Sequence, residues 1–419
     1  MSFTTALSGL NAAANNLAVT GNNIANANTI GFKKSRSEFA DVYANSVGGV
    51  SSIQPGSGVK VAEVAQQFSQ GNMDPTGNSL DMGISGDGFF TLAKNPTDLN
   101  SFVYSRAGAF EVDKSGLVVN PQGQPLLAYK PNTTTVADGF SVGSNPIPIS
   151  LNIGSGLPVA TTTVDIGVNL DARKNEITAI FDPTKSDTYT AQTSVSIYDS
   201  LGASHTLTTY FVAGPTDTDP REWKAYHCIT DVPGAPNPSD GGTPVTMQFN
   251  ASGKLVGDAF IVFKYQPTLP AAEINATIDY ANSTQIAQAF SVDALKQDGL
   301  AVGKLTGISI DNSGVIFANF SNGASNPLGK VALTRFANPQ GLAKLGDTTW
   351  AQSANSGEPI KGEAGKGNFG SIQSGALEQS NVDLTAQLVN LITAQQSYQA
   401  NAKTISTENT IIDTILNIR

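Results

Sequence analysis

The sequence predicts an α+β chain, mainly β, in which N- and C-terminal helices pair as a coiled coil and enclose nested β domains. Three observations carry this. Apolar residues at both ends recur in alternating steps of four and three, the long middle alternates with period two between turn signals, and charged residues make up only 14% of 419 positions. The first spacing keeps one helix seam facing a partner helix, and the second is a strand pattern. The third leaves a neutral polar surface, suited to broad contacts with other subunits. At roughly 150 residues per domain, the length suggests two to three domains.

The first element is a helix. Phe3, Leu7, Leu10, Ala14, Leu17, Gly21 and Ile24 form its seam, with Leu7, Leu10, Leu17 and Ile24 as the candidate subunit-assembly residues. Gly9 and Gly21 each weaken it by about 1 kcal/mol relative to Ala, so it needs a partner to hold its shape. No charged side chain precedes Lys33. Asn and Thr nevertheless recur too often for a membrane span, and no basic stretch precedes the apolar residues as in a secretory signal, so the start is expected to belong to the mature protein.

The middle is β-rich. Val112 to Val119 around Asp113-Lys114-Ser115-Gly116, and Ile308 to Phe317 around Asp311-Asn312-Ser313-Gly314, read as hairpins, because Asp, Asn and Gly supply the turn positions. Ser194 to Tyr198 and His205 to Tyr210 flank Asp199-Ser200-Leu201-Gly202, and Val245 to Phe249 precedes Asn250-Ala251-Ser252-Gly253 in the same way. Stretches rich in Pro, Gly and Asn near 131–158, 214–220, 232–244 and 265–270 mark loops or boundaries.

The last element is a long helix, with no Gly or Pro after Ala376 and a seam spanning roughly 50 Å. Leu384, Leu388, Leu391, Gln395, Tyr398, Ala402, Ile405, Asn409, Ile412 and Leu416 continue the alternation. Leu384, Leu388, Leu391, Tyr398, Ile405, Ile412 and Leu416 are its candidate assembly residues. Ser380 or Asn381 would cap it, with Asp383 in the first turn and Arg419 at the end, where each sign favours the helix dipole. If the ends pair, outer segments enclose inner ones. The expected division is a terminal helical domain at 1–34 and 376–419, extended connectors at 35–71 and 361–375, a first β domain at 72–145 and 286–360, and an inserted outer β domain at 146–285.

Few residues offer chemistry. With 24 Lys+Arg against 34 Asp+Glu the net charge is −10, which argues against a nucleic-acid partner. One cysteine, Cys228, excludes an intrachain disulfide, and two histidines, His205 and His227, exclude a His-rich metal site. His227 and Cys228 are adjacent in an apparent strand and point to opposite faces, so they form no Cys-His couple. Gly365-Lys366-Gly367-Asn368-Phe369-Gly370 fits G-x-G-x-x-G but lacks the preceding strand and the opening helix of a dinucleotide site, and reads as a flexible linker. Asp217 and Asp219 in a Pro-bounded loop are too sparse for a calcium loop and are read as solvated. No catalytic, cofactor or metal residue is assigned, and no enzyme activity is expected. A secreted β-rich enzyme acting on glycans is the alternative from another class, and hydrolysis of a sugar panel would favour it.

Two stretches carry a resemblance. Ala14-Asn15-Asn16-Leu17-Ala18-Val19-Thr20-Gly21-Asn22-Asn23-Ile24-Ala25-Asn26-Ala27-Asn28-Thr29-Ile30-Gly31-Phe32-Lys33 resembles the signature of bacterial flagellar axial proteins, the rod, hook and hook-associated family. Ser380 to Leu384 and Ala394 to Ile405 look like the other end of that family. Gln396 stands where Arg is common, and Ile30 where Pro or Val is common. Gly86-Asp87-Gly88-Phe89-Phe90, Tyr104-Ser105-Arg106-Ala107-Gly108 and Tyr198-Asp199-Ser200-Leu201-Gly202 are similar to its hook branch. The resemblance implies a subunit of the extracellular flagellum that leaves the cell unfolded, without a cleaved signal peptide, through the flagellar type III export apparatus. It also implies polymerisation with itself, under a hook cap protein, into a curved flexible tube that transmits torque from rod to filament. The implied neighbours are the distal rod protein and the hook-filament junction protein, with no nucleic acid and no membrane insertion. Terminal helices would form the inner tube, the first β domain a middle shell and the insertion an outer shell with sliding contacts. A distal rod or hook-filament junction protein is the alternative within the family.

Overall fold

The computed structural model describes residues 3–42, 56–96, 98–132, 139–142, 144–151, 156–216, 221–230, 237–238 and 243–417. Helix α1 (Phe3–Ala25) and helix α2 (Leu384–Leu416) lie at the two ends, and the described residues between them form strands, turns and one short 3-10 turn at Pro339–Gly341. The chain divides into two compact units. The larger comprises Met1–Asn152, Gly307–Ala318 and Asn326–Arg419, and the smaller Ile153–Thr306 and Asn319–Ser325. In sequence, therefore, one unit is inserted within the other.

One local device recurs through the β structure. At Asp113, Asn120, Asp199, Asn250 and Asp311 the side-chain oxygen accepts hydrogen bonds from the backbone N–H groups two and four residues on, at 2.8 to 3.2 Å. The residue three positions on is glycine each time, with φ between 77° and 85°. The short polar side chain closes the turn and Gly takes the left-handed position that an L side chain resists. The hairpins expected at Val112–Val119, Ser194–Tyr210 and Ile308–Phe317 are built on these turns, with Ser194 opposite Thr208 and Val112 opposite Val118.

The larger unit buries Met82, Ile84, Phe90, Leu92, Val103, Leu126, Val331 and Leu333 in one core. A second, aromatic cluster joins Phe89, Tyr104, Phe336 and Trp350, with Phe68 packed against it. Phe68 and Trp350 meet at 5.6 Å between ring centroids, and the Trp350 indole N–H donates to Gln66 Oε1 at 2.7 Å. In the smaller unit Thr163–Asp171 is the central strand. It runs parallel to Ile274–Asp279 and antiparallel to Ser291–Gln297, and it buries Val164, Ile166, Val168 and Leu170.

Several boundaries differ from the sequence expectation. Residues 286–306 lie in the smaller unit, because the central strand takes Ser291–Gln297 as its antiparallel neighbour and Leu295 packs on that core. The segment expected as an extended connector at 35–71 holds a hairpin, Ser35–Asp41 paired with Val59–Gln66. Ala376–Glu378 is a strand paired with Met73–Pro75, so the C-terminal helix starts at Leu384. The glycine-rich stretch at 365–370 is a closed turn, with Gly365 N donating to Gly370 O at 3.0 Å, between strands Ile360–Glu363 and Ser371–Ser374. A strand does precede it, but no helix opens from it. Asp217 and Asp219 lie outside the described residues.

His227 and Cys228 are both buried in strand Arg221–Ile229. The His227 Nε2 lies 2.7 Å from the Tyr280 hydroxyl, and burial pushes the imidazole down to about 4. The unfolded chain therefore binds the extra proton between about pH 6.5 and 4. The stability from keeping His227 neutral is complete above pH 6.5 and is lost as pH falls toward 4, amounting to about 3 kcal/mol. Urea unfolding of the parent and of His227→Gln is expected to show a steeper loss across this window in the parent. Parallel pH profiles would refute this.

Candidate assembly surface

Helices α1 and α2 pack along each other, and the side chains they bury fully are small or polar. On α1 the buried positions are Ala6, Ala12, Ala13, Thr20 and Asn23, and on α2 they are Gln387 and Ala394. Small side chains let the backbones approach. A Cβ placed on Gly9 would lie 2.6 Å from Asn401 Oδ1, so this glycine marks a close approach between the helices. Across the seam Asn23 Nδ2 donates to Gln387 Oε1 at 3.2 Å. Gly9 and Asn23 thus mark the paired face of α1, and Ala6, Ala13 and Thr20 lie buried at spacings of three or four from them. The signal missed was small residues at spacings of three and four, which carry little hydropathy.

The expected assembly residues differ in burial. Leu7, Leu384, Leu388, Tyr398, Ile412 and Leu416 are exposed, Leu388 by 50% and Leu416 by 69%. Leu10, Leu17, Ile24, Leu391 and Ile405 are half-buried. Val389, Ile392, Ile411 and Ile415, which the alternation did not select, are exposed on α2 as well. These exposed apolar side chains fall into two groups on α2, at 384–392 and 411–416, with Tyr398 between them.

Below the helices, polar groups fasten both chain ends to the larger unit. Asn23 Oδ1 accepts from Ser35 N at 2.9 Å and Asn23 Nδ2 donates to Ser35 O at 2.8 Å, fixing the chain after α1. Asn381 Oδ1 accepts from Lys34 N at 2.8 Å, while Asn381 Nδ2 donates to Gln67 O at 2.7 Å and Ser69 O at 3.0 Å. With Asn381 engaged there, the cap of α2 is Asp383, whose side chain accepts from Ala386 N at 3.1 Å. Neither Ser380 nor Asn381 takes the capping role that spacing gave them.

At the centre of this junction is a buried charge cluster. Lys33 Nζ donates to Glu378 Oε1 at 2.5 Å and to Ser69 O at 2.8 Å, with both charged side chains fully buried. Arg106 Nη1 reaches Glu378 Oε2 at 3.3 Å, and Gly71 N donates to Oε1 at 2.9 Å. Burial lowers the pKa of Lys33 and of Arg106, and in both cases the adjacent Glu378 carboxylate opposes that shift. Gly31, at φ 68°, lets the chain pass over the Arg106–Ala107 backbone, where a Cβ would come 2.5 Å from Ala107 N. No grouping of His, Cys, Asp and Glu fit for a metal occurs among the described residues, and no described helix is long and apolar enough to cross a membrane.

Four family profiles match the chain. They are the flagella basal body rod protein at residues 3–33, the flagellar hook protein FlgE/F/G D1 domain at 83–177, the flagellar basal body protein FlaE D2 domain at 169–300, and the flagellar basal body rod FlgEFG protein C-terminal region at 373–418. The chain is 39% identical over 421 residues to the flagellar hook protein FlgE of Salmonella typhimurium, covering 100% of both chains. It is 39% identical over 422 residues to FlgE of Escherichia coli K12, again covering 100% of each. The crystal structure of Helicobacter pylori flagellar hook protein FlgE2 shares the fold, with a TM-score of 0.53 at 18% identity, covering 73% of this chain and 100% of that one.

Proposed function

Since this chain belongs to the flagellar hook protein family, with end-to-end relatives at 39% identity, we propose that its work is wholly mechanical and is done through the terminal helices. It is a structural subunit of the flagellar hook, located in the bacterial flagellum, and it polymerises with itself. The observation that carries the mechanical reading is the division of labour on the helix pair. The fully buried residues of α1 and α2 are small or polar, while Leu384, Leu388, Ile412 and Leu416 stay exposed on the single subunit, free to meet the next. Burying such a stripe between copies contributes roughly 25 cal/mol per Å² of apolar area, repeated at every subunit.

The finer reading has three parts. Leu7, Leu10, Leu17 and Ile24 on α1, with Leu384, Leu388, Leu391, Tyr398, Ile405, Ile412 and Leu416 on α2, line the contacts that close the tube. The distal rod protein, the hook cap protein and the hook-filament junction protein meet this subunit at the tube's ends. The chain crosses the flagellar type III export apparatus unfolded and without a cleaved signal peptide. The polar, charge-poor surface supports sliding in a bending tube, because contacts can re-pair without breaking strong ion pairs. No catalytic group is needed.

Negative-stain microscopy of the concentrated, purified chain tests the reading, with curved tubes expected. Globular particles alone at every concentration, or hydrolysis of a sugar panel, would overturn it. Deletion of residues 153–306, the main inserted segment of the smaller unit, is expected to leave a chain that still forms tubes, though straighter or weaker ones. A remainder unable to fold would show that the insertion is not a self-contained module.

A further inference from the structure

We propose that copies of this chain join head to tail along α2, with Asp413 of one copy entering a polar cavity at the opposite end of the helix pair in the next. This rests on the reading that the chain polymerises as a hook subunit, and it names a contact by which it does so. The cavity has a volume of about 210 Å³, and Thr20, Asn23, Lys34, Arg36, Gln387 and Asn390 are in its lining. At roughly 30 Å³ per water it has room for about seven, hence for a carboxylate side chain with water around it.

Two buried groups at this cavity have no partner among the described residues. They belong to Thr20, 3% exposed, and Gln387, 8% exposed. The backbone of Ser35 fixes the orientation of Asn23, because an N–H only donates and a C=O only accepts. Asn23 Oδ1 therefore faces Ser35 N, and Nδ2 faces Ser35 O and Gln387. Gln387 must turn Oε1 to that donor, so its own Nε2 hydrogens are left over. Thr393, Thr404 and Thr410 on α2 each give their hydroxyl to the carbonyl four residues back, whereas the Thr20 hydroxyl has no acceptor among the described residues. Neither atom is sealed off, so a group entering the cavity can reach both. Buried polar groups are nearly always paired, and what these lack is an acceptor. Lys34 adds a charged donor. Among the described residues, no acidic side chain lines the cavity and none pairs with Lys34. Arg36, by contrast, already holds Glu38 at 2.6 Å.

The other end of α2 supplies the complement. Asp413 is exposed in the last turn, where a helix disfavours negative charge, and that turn holds no basic residue. It too has no ion-pair partner among the described residues. Ile411, Ile412, Ile415 and Leu416 are exposed around it, as Leu384, Leu388, Val389 and Ile392 are beside Gln387. Each end of α2 thus joins an apolar group to an unmatched polar one, and the two polar ones are of opposite character. Gln387 and Asp413 are 26 residues apart on one helix, about 39 Å at 1.5 Å per residue. A single copy cannot bring them together, and a second copy can. Joining unlike ends repeats without closing on itself, which is the geometry of an open helical filament.

The test mixes unlabelled and 15N-labelled full-length chains, treats the concentrated sample with a carbodiimide, which joins an amine to a carboxylate in contact with it, and maps the links by mass spectrometry. A Lys34–Asp413 link between a labelled and an unlabelled chain is expected. Absence of that link overturns the contact, and if tubes form nonetheless the hook reading stands. The link in a sample that forms no tubes upholds the contact and removes that reading. Asp413→Asn and Lys34→Gln are each expected to raise the critical concentration for tubes about tenfold, and the two together no further. Additive losses would put the two residues in separate contacts and overturn the pairing.

Discussion

Glu378→Gln is expected to destabilise the larger unit by about 3–5 kcal/mol, because it strips the carboxylate from two buried cations at once. Lys33 would keep Ser69 O at 2.8 Å, and Arg106 would keep a neutral acceptor at best. Neither has water to turn to, since Lys33 is fully buried and Arg106 nearly so. Urea unfolding followed by a probe in the larger unit should show a fall in midpoint with little change in slope. Glu38→Gln is the matched control. It breaks the Arg36–Glu38 pair, which is just as short at 2.6 Å but largely exposed, and should change stability by less than about 1 kcal/mol. Equal effects from the two substitutions would mean that the buried cluster does not fasten the chain ends.

The second large effect concerns assembly and leaves the monomer alone. Leu388 is half exposed on α2, so Leu388→Asp should fold, melt like the parent and form no tubes. Losing a buried Leu at the contact between copies forfeits about 1.5–3 kcal/mol, and placing an unpaired carboxylate there costs more. Together these raise the critical concentration by at least about a hundredfold. Thr407→Asp, also exposed on α2, should be milder. Ile405→Asp is more complex, for Ile405 is already half-buried in the single chain, and its substitution should lower monomer stability as well as assembly. Parent-like tubes from Leu388→Asp would remove the apolar stripe from the contact.

How far the sequence could be read depended on how local each signal is. The turns at Asp113, Asp199, Asn250 and Asp311 were legible because side chain, glycine and hydrogen bond all lie within five residues. Both helices were legible from the recurrence of Leu and Ile. What that recurrence could not say is which surface the stripe meets. Large apolar spacing reports a helix that must be covered, whether by its own chain or by another, and the inner seam of Ala6, Gly9, Ala13 and Thr20 is too weak in hydropathy to compete. The cluster of Lys33, Arg106 and Glu378 had no local trace, since its members are far apart and each looks like an ordinary surface charge in its own neighbourhood. Likewise, the pairing of Ser291–Gln297 with Thr163–Asp171 is a long-range choice that turn signals do not encode.

The Lys33–Glu378 pair has a temporal side. Its members are separated by 345 residues, so the bond closes a loop that takes in most of the chain, at an entropic cost that grows with loop length. Chains are made from the N-terminus onward. Lys33 thus depends on an acceptor encoded close to the other end. Until Glu378 arrives, burying Lys33 would strand a cation, so the junction beneath the helices resists premature closure. A chain that lacks its last residues therefore leaves Lys33 without the carboxylate that its buried place requires.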